Sequence, residues 1–273
     1  MKRNPFPQAM LVIWGVMTAL PLLWVVVTSF KDDAEILNDP WGLPGELRWS
    51  NFARAWSHGN IGKYFLNSVT VLSVSITLTM LLGATAAYAL ARYDFPGKRF
   101  VYFLFVGGMM FPAFLALVPL FFVVKNAGLL NTLPGLMLVY TAYSLPFTVF
   151  FLVAFFRTLP TQVAEAAMID GCGPFAMFFK VMLPMAKPGL ISVAIFNLLG
   201  QWNQYLLPVV LVSDSEDKYV LAQGLAALAV NEGYRGDYSR LFAGLTLAML
   251  PVLIVYAVFQ RQVQSGLTAG QLK

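Results

Sequence analysis

Long apolar runs alternate with short polar segments along this chain, and the rhythm predicts six membrane-length helices. They cover about 9–30, 68–90, 101–124, 136–156, 189–212 and 241–259. At 1.5 Å per residue, about 20 apolar residues cross a hydrocarbon core about 30 Å thick. The first run follows Lys2 and Arg3, outlasts the apolar core of a signal peptide and ends in VVTSFKDD, which has no small-x-small cleavage pattern. A retained first helix is therefore expected. The second run ends in GATAAYALA, whose small residues permit close helix contacts in lipid. Runs three, four and six contain Pro112, Pro119, Pro146 and Pro251. Each such proline removes a backbone hydrogen bond and is expected to kink or open its helix. Kinked spans fit a bundle around a pathway, and they equally fit the general proline content of membrane helices.

The polar segments complete the picture. The stretch from Lys31 to Tyr64 reads as an external loop with short surface helices, one over SNFARAW. A second external segment, 213–240, contains LAQGLAALAV, too short to span and read as re-entrant or interfacial. Run five carries Trp202, Asn203, Gln204 and Tyr205, which either line a pathway or pack and hydrogen-bond within the bundle. The remaining polar block, 157–188, is the longest one on its side. There Thr158 is a candidate N-cap, TQVAEAAMI is rich in helix formers, and Asp170–Gly171 is a stop signal. Gly173–Pro174 then opens a second short helix, FAMFFKVML, expected to end at Pro184. From the residues alone two readings stay open. The block is either an interfacial loop held to the membrane by Phe175, Phe178 and Phe179, or a docking peg whose alanines admit a partner surface.

Composition agrees with a membrane protein: 59% of residues are hydrophobic and 11% charged, against about 25% charged in soluble domains. The net charge of +5 is dispersed over short loops, which speaks for membrane orientation and against nucleic acid. With both termini inside, the inner segments hold ten basic and three acidic residues and the outer ones eight basic and ten acidic, the sense of the positive-inside rule. Single Cys172 and His58 exclude a disulfide framework and a histidine metal cluster. No GxxxxGK[ST] phosphate loop occurs, so ATP binding is not expected of this chain. The runs hold essentially no ionisable residue, which argues against an ion-coupled secondary transporter.

Glu165-Ala166-Ala167, then Asp170-Gly171, then Leu183-Pro184 and Pro188 resemble the EAA signature of permease subunits of bacterial ABC importers. NSVTV from Asn67, AYALARYDFPGKR from Ala87, LPTQVAEAAMIDG, WNQYLLP from Trp202 and the closing GLTAGQLK are similar to the carbohydrate-uptake branch, in particular its MalG-like, maltose-type subunit. The resemblance spans essentially the whole chain. It implies an all-α permease domain over 1–273, with a cytoplasmic coupling loop at 157–188 between helices four and five. Glu165, Ala166, Ala167, Asp170 and Gly171 would form the coupling helix and its turn, seated in a cleft of a separate ATPase subunit. Phe175, Phe178, Phe179, Leu183 and Pro184 would brace that peg against the spans. Cys172 stands where many members have alanine, and Gln204 replaces an acid often found in the family's WNEY version.

The same resemblance implies the partners: a second related permease, two ATPase subunits, an extracytoplasmic sugar-binding protein and membrane lipid. ATP and magnesium would be used by the ATPase subunits, with no cofactor or metal on this chain and no catalytic residue. The location implied is the bacterial cytoplasmic (inner) membrane, multi-pass, with both termini cytoplasmic. The EAA block alone leaves a polyamine, phosphate or amino-acid cargo open; the wider matches favour carbohydrate.

Overall fold

A computed structural model describes residues 5–268, and every regular element among them is helical. In chain order these are α1 (Pro5–Thr28), α2 (Asp33–Asn38), α3 (Ser50–Ser57), α4 (Ile61–Arg92), α5 (Lys98–Met110), α6 (Ala113–Asn126) and α7 (Leu133–Thr158). There follow α8 (Thr161–Ile169), α9 (Pro174–Ala176), a π-helical segment (Met177–Met182), α10 (Leu183–Met185) and α11 (Lys187–Trp202). The chain continues through α12 (Leu206–Leu211), a 3-10 turn (Glu216–Lys218), α13 (Leu221–Arg235) and α14 (Tyr238–Thr268). Among the described residues, four stretches are single helices long and apolar enough to cross a membrane: Phe6–Thr28, Ile61–Arg92, Leu133–Thr158 and Tyr238–Gln260. Counting each of two bent pairs as one crossing raises the number to six.

The first bend has a local cause. Lys98–Met110 and Phe114–Asn126 meet at 109°, where the sequence predicts one kinked run. Phe111 is extended (φ −78°, ψ 121°) because Pro112 behind it disfavours helical backbone there. The second bent pair, Pro174–Met185 with Lys187–Trp202, turns by 74° around Ala186. Run five is also interrupted, at 203–205. Pro208 explains this: as third residue of α12 its missing N–H costs nothing, whereas a continuous helix would lose a bond. Pro119, Pro146 and Pro251 lie inside α6, α7 and α14.

The chain forms two compact units. Among the described residues, the first comprises 5–66 together with Val220–Leu253. Its polar framework begins with a capping box on α2, where Asp32 accepts from Glu35 N and Glu35 accepts from Asp32 N. The buried Asn51 side chain donates to Ser29 O (2.9 Å) and Lys31 O (2.8 Å). Lys31 is itself buried, donating Nζ to Asp39 O at 2.7 Å. Arg54 pairs with Asp237 and Arg240 with Glu232, the latter at 2.5 Å with both side chains largely buried. Trp24 stacks on Trp41 and Phe242. The short helix expected over LAQGLAALAV extends to Arg235, since Asn231–Arg235 continue it until Gly236 adopts φ +77°.

Among the described residues, the second unit comprises Asn67–Tyr219 and 254–268. Its apolar core joins Ala84, Ala87 and Tyr88 of α4, Val149, Leu152, Val153 and Phe156 of α7, Met177, Phe178 and Met182, and Val193 of α11. Small residues set the helix spacing, as GATAAYALA suggests. A Cβ on Gly83 would stand 2.5 Å from Thr148 Cγ2, and one on Gly189 2.6 Å from the Phe155 ring.

Candidate coupling loop and the polar ladder above it

Residues 157–188 begin where α7 ends. Thr158 is not an N-cap. It is the last residue of α7, and its Oγ1 donates back to Phe155 O at 2.7 Å. Leu159 and Pro160 are extended, and α8 starts at Thr161 without a side-chain cap. The end of α8 is built as the sequence predicts. Gly171 N donates to Met168 O (3.0 Å) and Cys172 N to Ala167 O (2.9 Å), with Gly171 at φ +83°. This is a Schellman closure, which needs a left-handed residue after the cap. Cys172 and Ala167 both pack against the core, while Glu165, Ala166, Asp170 and Gly171 are exposed.

Gly173 and Pro174 open the next helical run, which continues past the expected stop at Pro184 to Met185. Pro184 falls where the backbone is rewinding from π to α, so its missing N–H does not end the run. The six π residues bury Met177, Phe178 and Met182. Phe178 is the anchor, its ring 5.0 Å from Tyr88, which in turn lies 5.6 Å from Phe156. Phe175 is 82% and Phe179 52% exposed, so of the three phenylalanines read as braces only Phe178 enters the core. Leu183 is partly buried against it and Pro184 exposed.

Two cations that the sequence reading passed over tie this loop to the helices. Arg92, last residue of α4, donates Nη2–H to Leu159 O at 2.5 Å, in the corner between α7 and α8. Arg157 lies 5.9 Å from the centre of the Tyr102 ring. A cleft of about 400 Å³ opens between α4 and α8, lined by Tyr88, Arg92, Thr161, Glu165, Cys172 and Met177. In the turn after α4, a hydrogen bond from Lys98 and its charge hold the Asp94 carboxyl below the usual carboxylate range.

The run-five residues divide. Trp202 is buried. Asn203 is exposed and caps its own helix, Nδ2 donating to Leu199 O at 2.8 Å. Tyr205 is 47% exposed and Gln204 intermediate. The polar chemistry sits one residue earlier. Gln201 accepts from Ser75 Oγ (2.6 Å) and donates to Ser144 Oγ (2.9 Å), and Asn197 donates to Thr148 Oγ1 (2.8 Å). Thr141 Oγ1 lies 3.4 Å from Ser75 O. All six side chains are at most 6% exposed. Bonds of this kind between membrane helices contribute about 0.6 kcal/mol each. The signal was present in the sequence: Asn197/Gln201 and Ser144/Thr148 are spaced i, i+4, which puts each pair on one helix face. No group of metal-ligating side chains occurs among the described residues.

Several apolar membrane-length helices, packed closely through small residues, define a helical membrane protein, and the comparisons specify its class. The model of the family "Binding-protein-dependent transport system inner membrane component" matches residues 79–268, and the chain belongs to that family. It is 54% identical over 266 residues to the diacetylchitobiose uptake system permease protein NgcG of Streptomyces coelicolor, covering 97% of this chain and 88% of that protein. It is 34% identical to the arabinooligosaccharides transport system permease protein AraQ of Halalkalibacterium halodurans, covering 93% and 90%. A crystal structure of a bacterial ABC transporter involved in the import of the acidic polysaccharide alginate contains a chain of the same fold, with TM-score 0.79, 22% identity and 94% coverage of each chain. The protein is thus an inner-membrane permease component of an ABC transporter, a non-catalytic part of the machinery.

Proposed function

We propose that this chain forms half of the translocation pathway of an ATP-driven importer of diacetylchitobiose or a similarly short oligosaccharide. The observation that carries the reading is the 54% identity, over nearly the whole chain, to a diacetylchitobiose uptake permease. The family's dependence on a binding protein supplies the first partner: a soluble sugar-binding protein on the outer face. Two ATPase subunits on the inner face and a second related permease complete the assembly. ATP and magnesium act in the ATPase subunits.

In this reading the chain crosses the membrane six times, with both termini cytoplasmic, and 157–188 is the coupling loop. Exposed Glu165, Ala166 and Asp170 on and just after α8, with half-buried Ala167 beside them, meet the ATPase. Gly171 turns the chain back beneath the helices. Phe178 and Leu183 transmit the load to the core, and the Arg92–Leu159 bond fixes the corner where α8 leaves α7. Closure of the ATPase dimer on ATP draws the coupling loops together and exchanges an inward-open for an outward-open pathway. Hydrolysis resets it. The work is done by differential binding in two states, since a ligand moves an equilibrium only by its preference for one of them.

The test is a complex of this chain, its permease partner, the ATPase and the binding protein, reconstituted in liposomes. Diacetylchitobiose is expected to stimulate ATP hydrolysis and to enter the vesicles. Stimulation by a polyamine, phosphate or an amino acid and by no sugar would overturn the cargo. The portion of the closing GLTAGQLK beyond Thr268 lies outside the described residues.

A further inference from the structure

We infer that Gln201 is a positioning residue for transport. It fixes the end of α11, at the edge of the 203–205 break, to α4 and α7 through the buried polar ladder. Displacement arriving from the loop between α7 and α11 then turns the chain at the break instead of sliding the helices past one another. The inference rests on the permease reading above.

The ladder has the properties such a clamp requires. Gln201 uses both ends of its amide, accepting from α4 through Ser75 and donating to α7 through Ser144. Asn197, one turn back, repeats the contact to α7 through Thr148. Apolar burial is non-directional, and packed helices undergo small shear displacements along one another. Hydrogen bonds of amides and hydroxyls are directional. A slide of one residue would leave buried polar groups without partners where no water replaces them. The ladder therefore selects one register of α11 against α4 and α7.

Immediately beyond it the pattern stops. Asn203 turns its amide back onto Leu199 O, the backbone leaves the helix, and α12 packs on α6 and α7. The broken run thus has a lower half pinned by side-chain hydrogen bonds to α4 and α7, while its upper half packs on α6 and α7 and is tied at its far end, where Leu211 O accepts from Asn131 N at 2.8 Å. The flanks of 157–188 are α7 and α11, the two helices the ladder ties most directly.

The experiment uses the reconstituted four-component complex with radiolabelled diacetylchitobiose as probe. It also carries spin labels at Phe150→Cys and Gly200→Cys, in a Cys172→Ala background. Both label sites are exposed, and nothing lies within 4 Å of a Cβ on Gly200. Gln201→Leu is expected to lower sugar moved per ATP hydrolysed by about five-fold or more. Folded yield and ATP hydrolysis should persist, and the distance between the labels should broaden. Ser144→Ala should lower the ratio in the wild-type background and add nothing in Gln201→Leu, while Ser144→Thr, keeping the hydroxyl, should recover most of the loss. An unchanged ratio and an unchanged, narrow distance in Gln201→Leu would overturn the inference. So would a loss of folded protein accompanied by a normal ratio in the surviving fraction. If Gln201→Leu is not recovered folded, Ser75→Ala and Ser144→Ala carry the same test one hydroxyl at a time. Absence of sugar uptake by the wild-type complex would instead count against the cargo reading, and the spin-label distances would still decide the ladder.

Discussion

Gly171 shows how one residue shapes the 157–188 loop. Its φ of +83° closes α8, and a Cβ there would meet nothing within 4 Å, so the demand on this position is purely one of backbone conformation. An L-residue in that region costs about 1–2 kcal/mol, and asparagine tolerates it best. Gly171→Val is therefore expected to reduce uptake strongly while the protein still reaches the membrane. Gly171→Asn should retain much more; equal loss in the two, measured by uptake in vesicles, would refute a conformational cause. The Asp170–Gly171 stop was legible in the sequence because a Schellman closure is a local event. Thr158 was misread for the complementary reason. Whether a threonine caps the next helix or ends the previous one depends on where α7 stops, and Pro160 defers α8 by keeping Leu159 extended.

At the scale of elements, the run from Pro174 to Met185 divides its aromatics between core and surface. Phe178→Ala removes a buried ring packed on Tyr88 and should cost about 3–5 kcal/mol. Phe175→Ala, at 82% exposure, should stay within about 0.5 kcal/mol. Thermal unfolding of the two variants in detergent checks the contrast, and similar shifts would show that Phe175 is buried in the folded protein. Gly83→Val tests the α4–α7 contact in the same assay. The intruding carbons against Thr148 should destabilise by about 1–3 kcal/mol. The sequence marks three phenylalanines in this block as candidate interfacial anchors, and the resemblance makes them braces, but neither says which one turns inward. A π segment changes the angle between successive side chains, so α-helical spacing assigns the faces wrongly. The break at Pro112 was half-legible: a proline announces a kink, but its size depends on how the freed carbonyls and neighbouring helices settle.

At the scale of the whole molecule, the membrane reading needed only composition and run length, and the family followed from motifs spread over the chain. The polar ladder does not stand out in the sequence, because serine, threonine and single amides are ordinary inside membrane helices. Only the tertiary arrangement shows that Ser75, Ser144 and Gln201 meet. The proposed sidedness predicts that cysteine introduced at Asp214 is labelled by an impermeant reagent from outside and cysteine at Ala164 from inside, in a Cys172→Ala background. The opposite pattern would invert the topology. The purified chain, free of ATPase subunits, should show no ATP turnover; turnover that tracks this chain through purification would contradict the assignment.

The π winding between Met177 and Met182 has a consequence for how this loop can vary. A π turn holds one residue more than an α turn spanning the same stretch of core. That surplus residue is a stored insertion. Deleting it would let the segment relax to α-helical bonding and bring its two ends back into phase with only a small change in length. Inserting a residue elsewhere in 174–185 would instead rotate every later side chain by about 100° and carry Met182 out of the core. The segment works as a vernier: a place where the chain can lose one residue and keep its fit, but not gain one.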